Sequence, residues 1–132
     1  EHKGIQRLVR DLNHFYRATP ALHVNDCRPE GFEWLEWNDA EAGVFAWVRK
    51  GRQGDKPVVA VVNMTPVQRR YRLGLPQAGL WRVVLNTDAE AYGGGNRGNL
   101  GGVTTDKTPW HGQTQSADLT LPPLTAIYLQ QD

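Results

Sequence analysis

The chain has 132 residues, enough for one domain, or one domain plus a fragment, with a core that needs no staples. Its 15 basic and 14 acidic side chains leave a net charge of +1, which argues against an electrostatic nucleic-acid binder or an anionic-membrane binder. A single cysteine, Cys27, excludes an internal disulfide and fits a reducing, cytoplasmic setting.

No stretch approaches the ~18 apolar residues of a membrane span, and no charged start leads into an apolar run as in a signal peptide. The chain opens on Glu1 rather than Met, so it is expected to be a piece of a longer protein.

Residues 2–18 predict one amphipathic helix. Ile5, Leu8, Val9, Leu12, Phe15 and Tyr16 recur at three- and four-residue steps and share a face. Pro20 ends the helix and biases Thr19 away from helical angles. Such a stripe has three outcomes: folding back on the rest of the chain, pairing with another chain, or fraying. Association, or recruitment of a missing barrel fragment, is the favoured outcome, because Pro20 and the segment up to Arg28 limit the helix's reach.

Beyond Pro20 the period changes. Phe32, Trp34 and Trp37 alternate with Glu33 and Glu36 in a strand-like segment, with the tryptophans expected inside. Residues 43–50 are rich in β-formers, and 57–63 are apolar on both faces, as in a central strand. In 67–73, Val67, Arg69, Tyr71 and Leu73 share one face, and three polar residues mark the other as solvent-facing. Residues 80–86 group Trp81, Val83 and Leu85, and 116–121 group Ala117, Leu119 and Leu121. In 124–130 either Ile127 and Leu129 or Tyr128 points inward. Short strands joined by turns, with no helix between them, predict an antiparallel sandwich or barrel. Trp47 and Trp81 are expected in its core. The connection from Asn86 to Gln115 is too long for an ordinary turn, so it is expected to be functional or disordered.

The candidate chemical motifs are weak. Gly93-Gly94-Gly95-Asn96-Arg97-Gly98 fits a dinucleotide fingerprint only in its spelling, because no helix pattern follows it. His2, His14, His23 and His111 are scattered, so no metal site and no cofactor are expected. His111 is expected to be exposed. His111, Ser116 and Asp118 supply the residue types of a hydrolase triad but no nucleophile elbow. The carboxylates of Glu30, Glu33, Glu36, Asp39 and Glu41 beside tryptophans suggest glycosidic chemistry, though core packing is the favoured reading. Trp110 sits in the long loop outside any strand pattern, either as a plug against the sandwich or as a sugar-stacking platform, the plug being favoured. Trp110 and Trp37 are the candidate substrate-binding residues.

Several blocks in one order resemble the C-terminal end of the glycogen branching enzymes, in the α-amylase superfamily. They are 2–13 (HKGIQRLVRDLN), Gly31-Phe32-Glu33-Trp34, Asn63-Met64-Thr65-Pro66-Val67, Leu85-Asn86-Thr87-Asp88, Tyr92-Gly93-Gly94 and 119–124 (LTLPPL). Met64 stands where the family has an aromatic, and Trp37 and Trp110 depart from its pattern. The resemblance implies that residues 1–22 are the last helix of a truncated (β/α)8 barrel and its connection. Residues 23–132 would then form an all-β sandwich. It also implies a parent that cleaves α-1,4-glucan and makes α-1,6 branches with a retaining carboxylate pair located in the barrel. No catalytic residue carries over, and the partner of Ile5, Leu8, Leu12 and Phe15 would be that barrel. A glucan-binding module and a stand-alone β interaction domain are the alternatives.

Overall fold

A computed structural model of the chain describes residues 3–25, 29–39, 43–88 and 101–131, without the side chains of 37–39. The glycine-rich stretch 89–100 and Cys27 lie outside the described residues. One α-helix, α1 (Lys3–Ala18), is followed by two single-turn 3-10 helices at Pro20–Leu22 and Pro29–Gly31. The strands are β1 (Phe32–Asp39), β2 (Val44–Arg49), β3 (Val58–Asn63), β4 (Arg69–Leu75), β5 (Leu80–Asn86), β6 (Gly102–Thr104), β7 (Gln115–Leu121) and β8 (Thr125–Gln131).

All described pairings are antiparallel. A six-stranded sheet runs β1-β2-β3-β8-β5-β6, and β4 pairs with β7 in a second sheet that packs over it. The fold is thus an antiparallel sandwich preceded by one helix.

Strict alternation sets the inner faces. Val44, Ala46 and Val48 of β2 and Ile127 and Leu129 of β8 face Leu73 and Leu75 of β4 and Leu119 and Leu121 of β7. Trp81 is fully buried, and its Nε1–H donates to the Gln77 carbonyl at 2.9 Å, which satisfies the one polar atom it brings inside. The 57–63 segment is the central strand expected of it, with β2 on one side and β8 on the other.

Three tryptophan-rich positions differ from expectation. Trp34 pairs with Trp47, Trp47 with Ala60, and Ala60 with Tyr128, so all four lie in one cross-strand row. Tyr128 points outward, and the whole row is therefore on the outer face of the large sheet. Trp34 is 49% exposed, Phe32 is exposed, and Trp47 is only half-buried. Trp34 lies opposite Trp47, on the face away from Val48, so alternation turns Trp34 out and Leu35 into the core; a β-bulge follows, between Trp34 and Glu36. Phe32, Trp34 and Trp47 pack edge-on and stacked at 5.1, 5.8 and 6.4 Å between ring centroids.

The C-terminal half of the helix folds back on the outer face of the large sheet. Phe15 meets Tyr128 edge-on at 5.7 Å, and burial beneath it pushes the Tyr128 phenol above its usual range. Leu12, Phe15, Tyr16 and Leu22 border a groove of about 370 Å3 with Trp47 and Tyr128. The linker makes this possible by binding the end of β2. Arg49 Nη2 donates to the Leu22 carbonyl at 3.1 Å, and Asn25 Nδ2 donates to the Gly51 carbonyl at 2.8 Å. Pro20 therefore starts a tight reversal, closed by the Val24 N–H on the Pro20 carbonyl at 2.9 Å, and does not hold the helix away. The N-terminal half keeps no such cover: Ile5 is 60% exposed, Val9 is exposed, and no residue of α1 is fully buried.

Candidate functional site

The described part of the long connection before β7 begins at Gly101 and runs through β6, which pairs with β5. Its entry is fixed by the Gly79 N–H, which donates to Thr105 Oγ1 at 2.8 Å. Asp106 next pairs in bridge fashion with Ser116. Asp106 Oδ1 also accepts the Thr108 N–H at 3.0 Å, an Asx-type turn that tightens the chain.

One guanidinium gathers the polar groups here. Arg72 Nη1 donates to both Asp106 oxygens at 3.1 and 3.2 Å and to Ser116 Oγ at 2.7 Å, and Nη2 donates to Asp118 Oδ2 at 3.1 Å. The Ser116 hydroxyl in turn donates to the Thr108 carbonyl at 2.7 Å. The Thr108 hydrogen bonds first, and Arg72 second, hold the Asp106 carboxyl below the usual carboxylate range.

Beyond Thr108 the chain makes a two-residue hairpin. The Trp110 and Gln113 backbones exchange hydrogen bonds at 3.1 and 2.9 Å. The two central residues, His111 and Gly112, have φ of 51° and 75°, the positive angles that a tight hairpin turn requires. Glycine takes that angle freely; for histidine it is uncommon, although histidine is among the side chains that adopt it most readily, and contacts around it have to favour it.

The surroundings of His111 supply such contacts. Its side chain is 8% exposed, where the sequence led one to expect an open loop residue. Nδ1 accepts the Gly74 N–H at 3.0 Å, so the neutral ring carries its proton on Nε2. Nε2 lies 3.0 Å from the Tyr71 hydroxyl and 3.7 Å from Glu36 Oε2. Gly74 is required for this approach: a Cβ there would stand 2.1 Å from the Trp110 carbonyl oxygen and 2.8 Å from His111 Cβ. The plug role weighed for Trp110 thus falls to its neighbour, and Trp110 itself is 46% exposed at the hairpin corner.

The triad residue types serve this architecture. His111 bonds Gly74 and Tyr71, Ser116 bonds Thr108 and Arg72, and Asp118 stands on the open surface beside Arg72. Trp37 belongs to β1, with its side chain outside the described residues. Tyr71, Arg72 and Gly74 were not singled out as site residues from sequence. The available signal was a glycine directly after an alternating strand pattern, which marks a close backbone approach. Among the described residues, no group of three or more His, Cys, Asp or Glu side chains is arranged to hold a metal ion. No helix among them is long and apolar enough to cross a membrane.

The family model described as "Alpha amylase, C-terminal all-beta domain" matches residues 34–132. The chain belongs to that family. It is 57% identical over 130 residues to the 1,4-alpha-glucan branching enzyme GlgB of Jannaschia sp. (strain CCS1), covering 98% of this chain and 18% of that protein. It is 52% identical over 132 residues to GlgB of Aquifex aeolicus (strain VF5), covering 99% and 21%. A third relative, GlgB 1 of Xanthomonas campestris pv. campestris (strain 8004), is 56% identical over 129 residues, covering 97% and 18%. The chain therefore spans about a fifth of the length of the curated relatives it matches. Among solved structures, the crystal structure of the alpha-amylase from H.orenii matches with a TM-score of 0.61 at 15% identity, over 100% of this chain and 21% of that one, which shows a shared fold.

Proposed function

We infer that this chain is the C-terminal accessory part of a 1,4-alpha-glucan branching enzyme and is not catalytic by itself. The parent would transfer α-1,4-glucan segments to form α-1,6 branches in glycogen biosynthesis, in the cytoplasm, a location the lone Cys27 supports. The observation that carries the reading is the identity of more than half the residues to branching enzymes along nearly the whole chain.

Asp106 and Asp118 fit a silent role. Retaining glycosyl transfer uses two carboxyl groups about 5 Å apart in a cleft, one of them with a raised pKa so that it can act as an acid. Asp106 and Asp118 instead lie on the surface under one arginine, and the Asp106 carboxyl is shifted the other way. In this reading α1 works as a two-sided wedge. Leu12 and Phe15 serve the sandwich, while Ile5, with Val9 beside it and Leu8 between the two sides, is left for the catalytic barrel. Burying the exposed half of Ile5 and of Val9 in that contact would contribute roughly 1–1.5 kcal/mol each.

Incubation of the purified chain with amylose is expected to leave the iodine stain unchanged and to give no α-1,6 anomeric proton signal. New α-1,6 linkages, with contaminating enzyme excluded, would overturn the reading.

A further inference from the structure

We propose that the Trp110–Gln113 hairpin is an α-glucan subsite, in which the Trp110 indole stacks on a glucose ring and His111 is the positioning residue that fixes the hairpin. The ligand class rests on the branching-enzyme reading; the site rests on this chain's own geometry.

The turn itself does not need a tryptophan at its corner. Its geometry is set by His111, Gly112 and the backbone bridge, and the Trp110 ring lies outside the core cluster. About half of the largest apolar side chain is nevertheless left in water. Beneath it sits a buried histidine in a left-handed backbone conformation, seated against a glycine that admits no Cβ. Strain of this kind persists where the surrounding structure over-determines it, and it accumulates at binding sites. The result is an aromatic ring on a rigid mount, which lowers the ordering cost of capturing a ligand.

The chemistry of the mount suits a sugar. An indole face carries the negative end of the ring quadrupole, complementary to the polarised C–H bonds on a pyranose face. A sugar also needs hydrogen-bonding partners around its hydroxyl rim. Gln113 stands directly opposite Trp110 across the turn, and Thr108 lies two residues before it. Trp34 is equally exposed but has aromatic neighbours instead: its ring abuts Phe32 at 5.1 Å and Trp47 at 5.8 Å.

The test uses the 132-residue chain in native gels containing glycogen, and titration with maltoheptaose followed by the five indole N–H resonances. The wild-type chain is expected to be retarded by glycogen and to show a shifted indole signal that is missing from the Trp110→Phe spectrum. Trp110→Ala should bind about tenfold more weakly, and Trp110→Phe should keep part of the affinity. His111→Gly relieves the backbone angle and removes the mount, so affinity should fall several-fold with Trp110 still present. His111→Asn should restore much of it, since asparagine tolerates the angle and its carboxamide oxygen can accept the Gly74 N–H. An unretarded wild type, an unaffected Trp110→Ala variant, or a shift confined to the Trp34 resonance would each overturn the subsite. Wild-type affinity in His111→Gly would overturn the positioning role. None of these results would disturb the accessory-part reading, which the amylose assay tests separately.

Discussion

Replacing Asn63 with leucine is expected to destabilise the sandwich by about 3–5 kcal/mol, although the two side chains are close in size. Asn63 ends the central strand and is fully buried. Its Nδ2 donates to the Val67 carbonyl at 2.9 Å and the Pro122 carbonyl at 3.0 Å. Its Oδ1 accepts from the Thr65 N–H at 3.0 Å and the Thr65 hydroxyl at 2.6 Å. One carboxamide thus links the turn that leads to β4 with the turn that leads to β8. Leucine would leave the buried Pro122 carbonyl and the half-buried Thr65 groups without their partner, at about 1–3 kcal/mol for each buried group stranded. Urea unfolding should show a lower midpoint with an unchanged slope. A midpoint within error of wild type would show that water or a local shift replaces the carboxamide.

Gly74→Ala is the second large effect. The new methyl would meet backbone, not a flexible side chain, at 2.1 Å from the Trp110 carbonyl oxygen. The hairpin has to move away, and with it go the bonds from His111 to the Gly74 N–H and the Tyr71 hydroxyl. The expected cost is about 2–4 kcal/mol, from overpacking and from one buried polar pair left unmade. Unlike the Asn63 change, the damage should be local at first. Hydrogen exchange should quicken in residues 105–114 before it quickens in β3 or β8. Unchanged protection in that segment would mean the hairpin is not seated on Gly74.

These two positions also show where sequence reading stops. The three-to-four-residue spacing of Leu8, Leu12 and Phe15 and the alternation of Ala117, Leu119 and Leu121 depend on period alone, so helix and strand could be read directly. The choice between Ile127 with Leu129 and Tyr128 could not, because both faces of β8 are apolar and the outer one meets α1. Which face of β1 turns inward is a one-residue choice of register made by the partner strand, and pairing with Trp47 sets Trp34 outward against expectation. His111 read as exposed because its burial is decided by a backbone approach to Gly74, 37 residues away in sequence. The strand β6 is three residues long and follows glycines, so no periodicity announced it. The family resemblance rested on short ordered blocks. One of them, Tyr92-Gly93-Gly94, falls outside the described residues; Asn63–Val67, Leu85–Asp88 and 119–124 lie in the segment the family model matches, and the first block and Gly31–Glu33 lie before it.

If this chain completes a branching enzyme without performing its chemistry, it should replace the matching segment of a relative. A chimera tests it most directly: the matched segment of the Aquifex aeolicus GlgB, 52% identical over 132 residues, is replaced by this chain, and α-1,6 linkages formed on amylose are counted by proton NMR. The chimera is expected to branch amylose, the chain alone to do nothing, and the chimera with Ile5→Glu and Val9→Glu to lose most of its activity, as charges enter the helix face left for the barrel. A folded chimera that forms no branches, or linkages formed by the chain alone, would contradict the account.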